Sequence, residues 1–449
     1  MKRLAALIFF LIAGSFRQIT HAQSTVSISG TIINIHNKMQ VSDGSEFRNL
    51  ALPNDDRSFI PDSAGNFSVS FKLTKPSYFR IGRNVLYLTP GDKLTVALDY
   101  NKPENGIFTE SAVEANNYLR YTPFPKAGSF IEGGRKIQKN IKQSIDTILA
   151  AGKSRGKQLA KVKDITPAFR TYEEARIKAD MINSLSMLRV YYPMMNHLSK
   201  EAGELAQKEV DVATASHKAQ LAKGFVDPDL LKVEVYSDVA DDILAVDANS
   251  PKATQIKDYL KAADLAYKIK HLATKDEVIA AKPELDAIVT PAYKNALSDV
   301  YAGLIKFGNG DKAVDFTAKT ADGKKVKLSE YAGKVVFVDL WATWCGPCIA
   351  EMPALEKLKE RYKDNPNIVF LSISIDDNKE AWKKMLGTMN ISGTQLVTDR
   401  SDLNAYSVID IPRTIIIDKD MKVAAMKGNL PSAKQTPELL DKLLAGTVK

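Results

Sequence analysis

The chain has 449 residues, of which 45% are hydrophobic and 26% charged, which excludes a collagen-like, disordered or multi-span membrane protein. Its formal net charge of +9 is spread without a run of about five or more like charges, which argues against a nucleic-acid-binding tail. Cys345 and Cys348 are the 2 cysteines, so a disulfide-stapled scaffold and a four-cysteine zinc site are excluded.

The first 22 residues have the pattern of an export signal. Lys2 and Arg3 precede an apolar stretch over residues 4–14, and a Thr-His-Ala sequence ending at Ala22 resembles a cleavage site. The alternative is an uncleaved membrane anchor, but this stretch is shorter than the roughly 20 residues that span a bilayer. The sequence therefore predicts cleavage after Ala22 and an exported, periplasmic and soluble chain, in a compartment where cysteines are usually oxidised.

Two segments of different composition precede the cysteines. Residues 23–111 alternate in short runs separated by turn sequences near Gly65 and Gly91, which predicts a small antiparallel all-β domain. The pattern resembles an N-terminal β-sandwich domain of unknown function, so a sandwich-like fold is expected. Residues 112–306 are rich in Ala, Lys, Glu and Leu at helical spacing, which predicts a helical middle domain without a catalytic motif.

Residues 307–449 alternate strands with helices, which is typical of an α/β fold. A hairpin is predicted around Asp322-Gly323. A strand at 335–340 that is apolar on both faces is expected at the centre of the sheet. The remaining predicted elements are helices at about 346–363, 378–389 and 436–445 and strands at 368–375 and 414–417.

The two cysteines follow the predicted central strand, in the sequence Trp-Cys-Gly-Pro-Cys from 344 to 348. Cys345 is then at a helix N-terminus, where unpaired amide N–H groups and the helix dipole stabilise a thiolate. Spacing of three on a helix brings Cys348 beside Cys345, so that the pair can close a disulfide. Half a metal site and two inert buried cysteines are the alternatives. A metal site needs about two further ligands, and the strand-to-helix junction favours redox chemistry.

Residues 308–446 resemble the TlpA-type thiol:disulfide oxidoreductases of the thioredoxin superfamily, through residues 333–348 and the following Glu351-Met352-Pro353. The resemblance implies a thioredoxin-like domain with a central mixed sheet flanked by helices, and a mechanism through a mixed disulfide. We expect no cofactor other than the redox-active Cys345–Cys348 disulfide, and a membrane-embedded electron donor to reduce it. Trp344, Gly346 and Pro347 are expected to contact the substrate.

Two carboxylates are candidates for moving the proton of Cys348. Asp339 is the one carboxylate in the otherwise apolar central strand, and burial is expected to raise its pKa so that it exchanges a proton with Cys348. A solvated residue at the end of the strand is the alternative. Glu351 matches an acidic position that the family often carries one turn past the second cysteine, with a plain surface role as the alternative.

Ile411 and Pro412 match the family's loop in which a cis-proline faces the cysteines and the preceding backbone pairs with the substrate. Arg413 stands where the family usually has threonine. This cation is expected either to lie beside the disulfide, where it would favour the thiolate of Cys345 or select acidic substrates, or to point into solvent.

The Gly-Pro pair between the cysteines is of the thioredoxin type, for which a potential near −270 mV is typical, against about −120 mV for strong oxidants. The sequence therefore favours a reductase of disulfides in exported proteins. A disulfide oxidase or isomerase with the same cysteines, and a partner-binding protein with an accessory thioredoxin-like domain, stay open as alternatives. A peroxiredoxin-type peroxidase is disfavoured because Val338 and Ala342 occupy the Pro and Thr positions of its motif.

Overall fold

The computed structural model describes residues 24–35, 38–52, 56–376, 378–389 and 391–447. The predicted export signal, residues 1–22, lies outside this range. Of the helices in the described range, none combines the length and the apolar character needed to cross a membrane.

The described residues of the N-terminal part form two four-stranded sheets, ordered β4-β1-β7-β8 and β3-β2-β5-β6. The strands are β1 (Ser24–Ile33), β2 (Met39–Asp43), β3 (Ser58–Phe59), β4 (Asn66–Leu73), β5 (Ser77–Ile81), β6 (Asn84–Leu88), β7 (Lys93–Asp99) and β8 (Ile107–Glu110). Both sheets contribute inward side chains to one apolar cluster, among them Ile28 of β1 and Phe79 of β5. This is the packing of a β-sandwich.

One strand pair departs from the antiparallel arrangement predicted for this part. β1 pairs with β4 antiparallel but with β7 in parallel. After β4 the chain forms β5 and β6 in the second sheet and then returns beside β1 in the same direction. Local alternation of side chains does not report such a crossover, so the predicted antiparallel arrangement is wrong for β1 with β7 and is confirmed for the other described strand pairs of these sheets.

The middle part is helical, as predicted. Its helices are α1 (Val113–Leu119), α2 (Ile141–Lys161), α3 (Pro167–Met195), α4 (Lys200–Ala222), α5 (Glu234–Asp238), α6 (Ala240–Val246), α7 (Ala253–His271), α8 (Lys275–Ala280), α9 (Lys282–Asp286) and α10 (Pro291–Ile305). The side chains of Asn140, Thr166 and Ser199 accept backbone N–H groups at the N-termini of α2, α3 and α4. These caps define where the three longest helices begin.

The β-sandwich and the helices share a hydrophobic core. Tyr78 and Tyr87 of the sandwich belong to the same buried cluster as Phe169 of α3. The Tyr78 hydroxyl also donates a hydrogen bond to Glu173 Oε1 at 2.6 Å, and Arg176 Nε donates to the same oxygen at 2.9 Å. A buried carboxylate without partners is unfavourable in free energy. The hydrogen bonds of Glu173 to Tyr78 and Arg176 therefore link the β-sandwich to α3.

The C-terminal part is an α/β domain with one mixed sheet, ordered β10-β9-β13-β12-β11-β14-β15. Its elements are β9 (Thr317–Lys319), β10 (Lys325–Lys327), β11 (Val335–Trp341), α11 (Gly346–Arg361), β12 (Ile368–Ser374), α12 (Lys379–Thr388), β13 (Thr394–Val397), β14 (Arg413–Ile417), β15 (Val423–Gly428) and α13 (Gln435–Leu444). Every residue of β11 is buried. This strand pairs with β12 in parallel and with β14 antiparallel, so the predicted mixed sheet with a central apolar strand is confirmed.

The α/β domain has its own apolar clusters, which contain no residue of the described sandwich or of helices α1 to α10. All 3 tryptophans, at 341, 344 and 382, also lie in this domain. Tryptophan fluorescence therefore reports its unfolding alone, whereas far-UV circular dichroism is dominated by the helical part.

We predict that Leu297→Ala, at a fully buried position of α10, lowers the helical unfolding free energy by about 2–5 kcal/mol. The fluorescence transition is expected to stay within about 0.5 kcal/mol of that of the native chain, because the mutated site is in a separate core. Leu371→Ala in β12 is the matched control. It should lower the unfolding free energy measured by tryptophan fluorescence more than that measured by circular dichroism. Equal shifts of both signals in both variants would show one cooperative unit instead.

Candidate active site

Cys345 and Cys348 form a disulfide at the N-terminus of α11, with their Cα atoms 5.2 Å apart. Cys345 is the N-cap residue, and the backbone N–H of Cys348 donates to its Sγ at 3.2 Å. This N–H is among the first four of the helix, which have no acceptor within the helix. The helix end therefore favours negative charge on the Cys345 sulfur once the disulfide is opened.

The disulfide is buried, but its chain neighbours are exposed. Cys345 is 4% exposed, whereas the preceding Trp344 is 64% exposed. Gly346 and Pro347, between the cysteines, are also exposed. A partner can therefore approach the disulfide from the side that Trp344, Gly346 and Pro347 form.

The loop before the cysteines is held by a carboxylate that the sequence analysis missed. The backbone N–H of Thr343 donates to Asp376 Oδ2 at 2.8 Å, and the Thr343 hydroxyl donates to Oδ1 at 2.7 Å. Ser374 at the end of β12 donates a third hydrogen bond to Oδ2 at 2.7 Å. Asp376 is thus a buried anchor for the strand-to-helix junction, and its place after a buried strand was the available signal.

Asp339 is buried in the central strand rather than solvated at its end. Burial raises its pKa to about 7, a nearby Lys359 charge lowers it in part, and the Glu351 charge raises it. No described residue donates a hydrogen bond to its carboxylate. Asp339 pairs in register with Ser372 of β12 and Thr414 of β14, so its backbone lies in the interior of the sheet.

Lys359 is a second residue that the sequence analysis missed. Its ammonium group is buried on α11 and donates to Glu356 Oε1 at 2.8 Å, the Ser392 carbonyl at 2.7 Å and Ser372 Oγ at 3.3 Å. Lys359 follows Met352 and Leu355 on the buried face of the helix. A lysine within that apolar stripe was the signal, since a charge there needs buried partners.

Glu351 is partly buried on α11 and bound to Ser432. Its two carboxylate oxygens accept hydrogen bonds from the Ser432 backbone N–H at 3.0 Å and from the Ser432 hydroxyl at 2.8 Å. The Glu351 charge raises the pKa of Asp339, while both carboxylate oxygens of Glu351 are bound to Ser432, which follows β15.

Ile411 and Pro412 lie in the loop before β14, and the peptide bond between them is cis. Arg413, the next residue, pairs in register with Leu340 near the end of β11. The loop is thus next to the strand that leads into Cys345, and both Ile411 and Pro412 are partly exposed.

Arg413 is buried and does not point into solvent. Its guanidinium group donates to the Met426 carbonyl at 2.9 and 2.6 Å and reaches the Tyr406 carbonyl at 3.5 Å. Burial lowers its pKa to about 10, and Asp410 opposes this effect. The Arg413 side chain is hydrogen-bonded to the backbone of β15 and therefore holds this strand next to the cis-proline loop.

Comparison with known proteins gives matches to the C-terminal part. The Redoxin family model matches residues 308–442. The thioredoxin-like protein YneN of Bacillus subtilis is 32% identical over 133 residues, which cover 29% of this chain and 78% of YneN. The thiol-disulfide oxidoreductase ResA of Bacillus thuringiensis is 31% identical over 137 residues, covering 30% of this chain and 76% of ResA.

Among solved structures, a thiol-disulfide oxidoreductase from Bacteroides fragilis is 26% identical, with a TM-score of 0.27, and the match covers 29% of this chain and all of that one. The match to the Redoxin family model spans the disulfide, the buried Asp339 and the Ile411-Pro412 loop, all within residues 308–442. Through this domain the chain belongs to the redoxin family, as a TlpA-type member of the thioredoxin superfamily and a relative of the thiol-disulfide oxidoreductases.

Proposed function

We propose that this chain is an exported thiol:disulfide oxidoreductase that reduces disulfides in exported proteins. The observation that carries the proposal is the Cys345–Cys348 disulfide at a helix N-terminus, with the buried Asp339 carboxyl in the strand that leads into it. Export is supported by the leader pattern of residues 1–22. No cofactor is required, because the two sulfur atoms carry the electrons.

The first step is attack by the Cys345 thiolate on one sulfur of a substrate disulfide. A new S–S bond joins Cys345 to the substrate while the substrate's own S–S bond breaks. The second substrate sulfur leaves as a thiolate and takes a proton from water. Trp344, Gly346 and Pro347 surround the attacking sulfur, and the backbone of Ile411 before Pro412 pairs with the substrate chain.

The second step releases the substrate. The Cys348 thiol gives its proton to the Asp339 carboxylate, which is partly ionised at neutral pH because its pKa is about 7. The Cys348 thiolate then attacks the Cys345 sulfur, so that the intramolecular disulfide forms, the S–S bond between Cys345 and the substrate breaks, and the substrate sulfur of that bond leaves as a thiolate and takes up a proton. Glu351 assists through its charge, which raises the proton affinity of Asp339. Two electrons have passed to the substrate, and a membrane-embedded donor must return two to the disulfide.

We predict that Cys348→Ser accumulates mixed disulfides between Cys345 and exported proteins, because the resolving thiol is missing. Non-reducing electrophoresis of the full chain expressed in its host measures them. The matched control is the double variant Cys345→Ser/Cys348→Ser. If both give the same pattern of bands, dithiol exchange through Cys345 does not take place.

The direction of electron flow is tested by the equilibrium potential. We predict a value nearer −270 mV than −120 mV for the Cys345–Cys348 couple, as is typical of a Gly-Pro pair between cysteines. Titration against glutathione or dithiothreitol, followed by the tryptophan fluorescence of the α/β domain, measures it. A potential close to −120 mV would favour the disulfide oxidase or isomerase over the reductase.

Asp339→Asn is predicted to remove a pH-dependent cost to stability. Between pH 3.8, the ordinary pKa of an Asp side chain, and about pH 7, the Asp339 carboxyl keeps its proton in the folded protein but loses it in the unfolded chain. Burial of the carboxyl therefore costs little below pH 3.8, destabilises increasingly between pH 3.8 and about 7, and has a constant cost at higher pH. The free energy of unfolding of the Asn variant should exceed that of the native domain by about 4 kcal/mol at pH 8 and should be close to it near pH 4.

The same substitution should slow the release of substrate from the mixed disulfide by roughly a hundredfold at pH 7, because Asn accepts no proton. Stopped-flow fluorescence of the pre-reduced chain gives this rate, and urea unfolding at the two pH values gives stability. Asp420→Asn, at an exposed turn position, is the control for the loss of charge. Equal stability gains at both pH values would refute the raised pKa of Asp339.

A further inference from the structure

The C-terminal end of α7 contacts the α/β domain on both sides of the cis-proline. His271 Nε2 lies 3.2 Å from Asp410 Oδ2, two residues before Pro412. Lys427 of β15 donates a hydrogen bond to the backbone carbonyl of Lys270. The helical part, which has no catalytic motif, therefore reaches the loop that pairs with the substrate.

His271 is held between two acceptors. Its Nδ1 lies 2.6 Å from the Tyr267 carbonyl oxygen, and its Nε2 faces the Asp410 carboxylate. A carbonyl and a carboxylate only accept hydrogen bonds, so each ring nitrogen of His271 faces an acceptor. His271 thus joins the end of α7 to the loop through Asp410.

The second contact reaches the residue after the cis-proline. The Lys270 carbonyl is one of the last four of α7, which lack a partner within the helix, and the ammonium group of Lys427 satisfies it. Lys427 follows Met426, whose carbonyl accepts the guanidinium of Arg413. Arg413 directly follows Pro412. The end of α7 therefore fixes both flanks of the loop.

Polar contacts determine how the α/β domain sits on the rest of the chain. In the described residues, no hydrophobic cluster contains side chains from both sides of this junction. Lys275 adds an ion pair with Asp311 at 2.6 Å, and Lys270 Nζ donates to the Asn49 carbonyl at 2.7 Å. The sandwich, the helices and the α/β domain therefore meet at the end of α7.

Tyr267 adds an exposed aromatic ring to this junction. It is 68% exposed, and its ring centroid is 4.1 Å from that of His271. Exposed tyrosine rings are favoured contacts in protein interfaces, since they bury a large area at a low cost in side-chain entropy. Trp344, next to Cys345, is a second exposed ring of this kind.

We propose that Tyr267 and His271 are part of the substrate site: His271 positions the cis-proline loop through Asp410, and Tyr267 contacts the polypeptide that carries the target disulfide. This inference rests on the proposed function. The preferred substrate is then a polypeptide that extends from Cys345 to α7, and a small disulfide would gain nothing from these residues.

The test compares two disulfides as oxidants of the pre-reduced full chain. Insulin is the polypeptide, and dithiodipyridine is a small uncharged disulfide without a peptide backbone. We expect Tyr267→Ala and His271→Ala each to lower the second-order rate constant for insulin about five- to tenfold, the range of a moderate interface contact. The rate constant for dithiodipyridine and the equilibrium potential should stay within about twofold.

A positioning role for His271 has further signatures. Asp410→Ala should cause the same loss, and the double variant His271→Ala/Asp410→Ala should be no slower than either single variant. His271→Arg, which supplies several N–H donors to Asp410, should retain most of the insulin rate. Tyr121→Ala and His217→Ala are the matched controls, since Tyr121 is 57% exposed and both residues lie in the helical part.

Two outcomes would overturn the inference. One is an unchanged insulin rate constant in Tyr267→Ala and His271→Ala, and the other is an equal loss with both disulfides, which would indicate general damage to the site. In either case a native chain that reduces both disulfides leaves the proposed function standing. A native chain that reduces neither would refute the proposed function itself.

Discussion

The hydrogen bond from the Cys348 amide to Cys345 Sγ is the interaction on which the site depends. It requires the helix to begin at the sulfur atom, and the surrounding fold provides this. The buried strand β11 ends directly before the loop, and Asp376 fixes the loop through the backbone and hydroxyl of Thr343. The sheet and its anchor thus direct a helix N-terminus at one sulfur, which stabilises the thiolate that attacks.

The second constraint is the buried carboxyl of Asp339, which receives no hydrogen bond from the described residues. Burial raises its pKa to about 7, while the Lys359 charge opposes and the Glu351 charge supports this shift. A carboxyl that titrates near neutral pH accepts and returns a proton with similar ease, which suits the exchange between two cysteines. The buried carboxyl that forms this proton site lowers the stability of the domain at neutral pH.

Local sequence patterns predicted β11, α11 and β12 to within two residues, because apolar runs and the Gly-Pro turn determine these elements. They missed β13 and β15, and also the parallel pairing of β1 with β7, which depends on contacts distant in sequence. The same division holds in the site. The cysteines and Asp339 lie in one continuous motif, whereas the roles of Asp376 and His271 arise only where separate elements meet.

The pH dependence of Cys345 alkylation in the reduced full chain tests the central claim most directly. Iodoacetamide reacts with the thiolate, and peptide mapping by mass spectrometry separates Cys345 from Cys348. A thiolate stabilised by the N-terminus of α11 predicts a Cys345 rate that rises by less than about threefold between pH 7 and pH 9.5. A rise of more than tenfold, as for a free cysteine, would contradict the account.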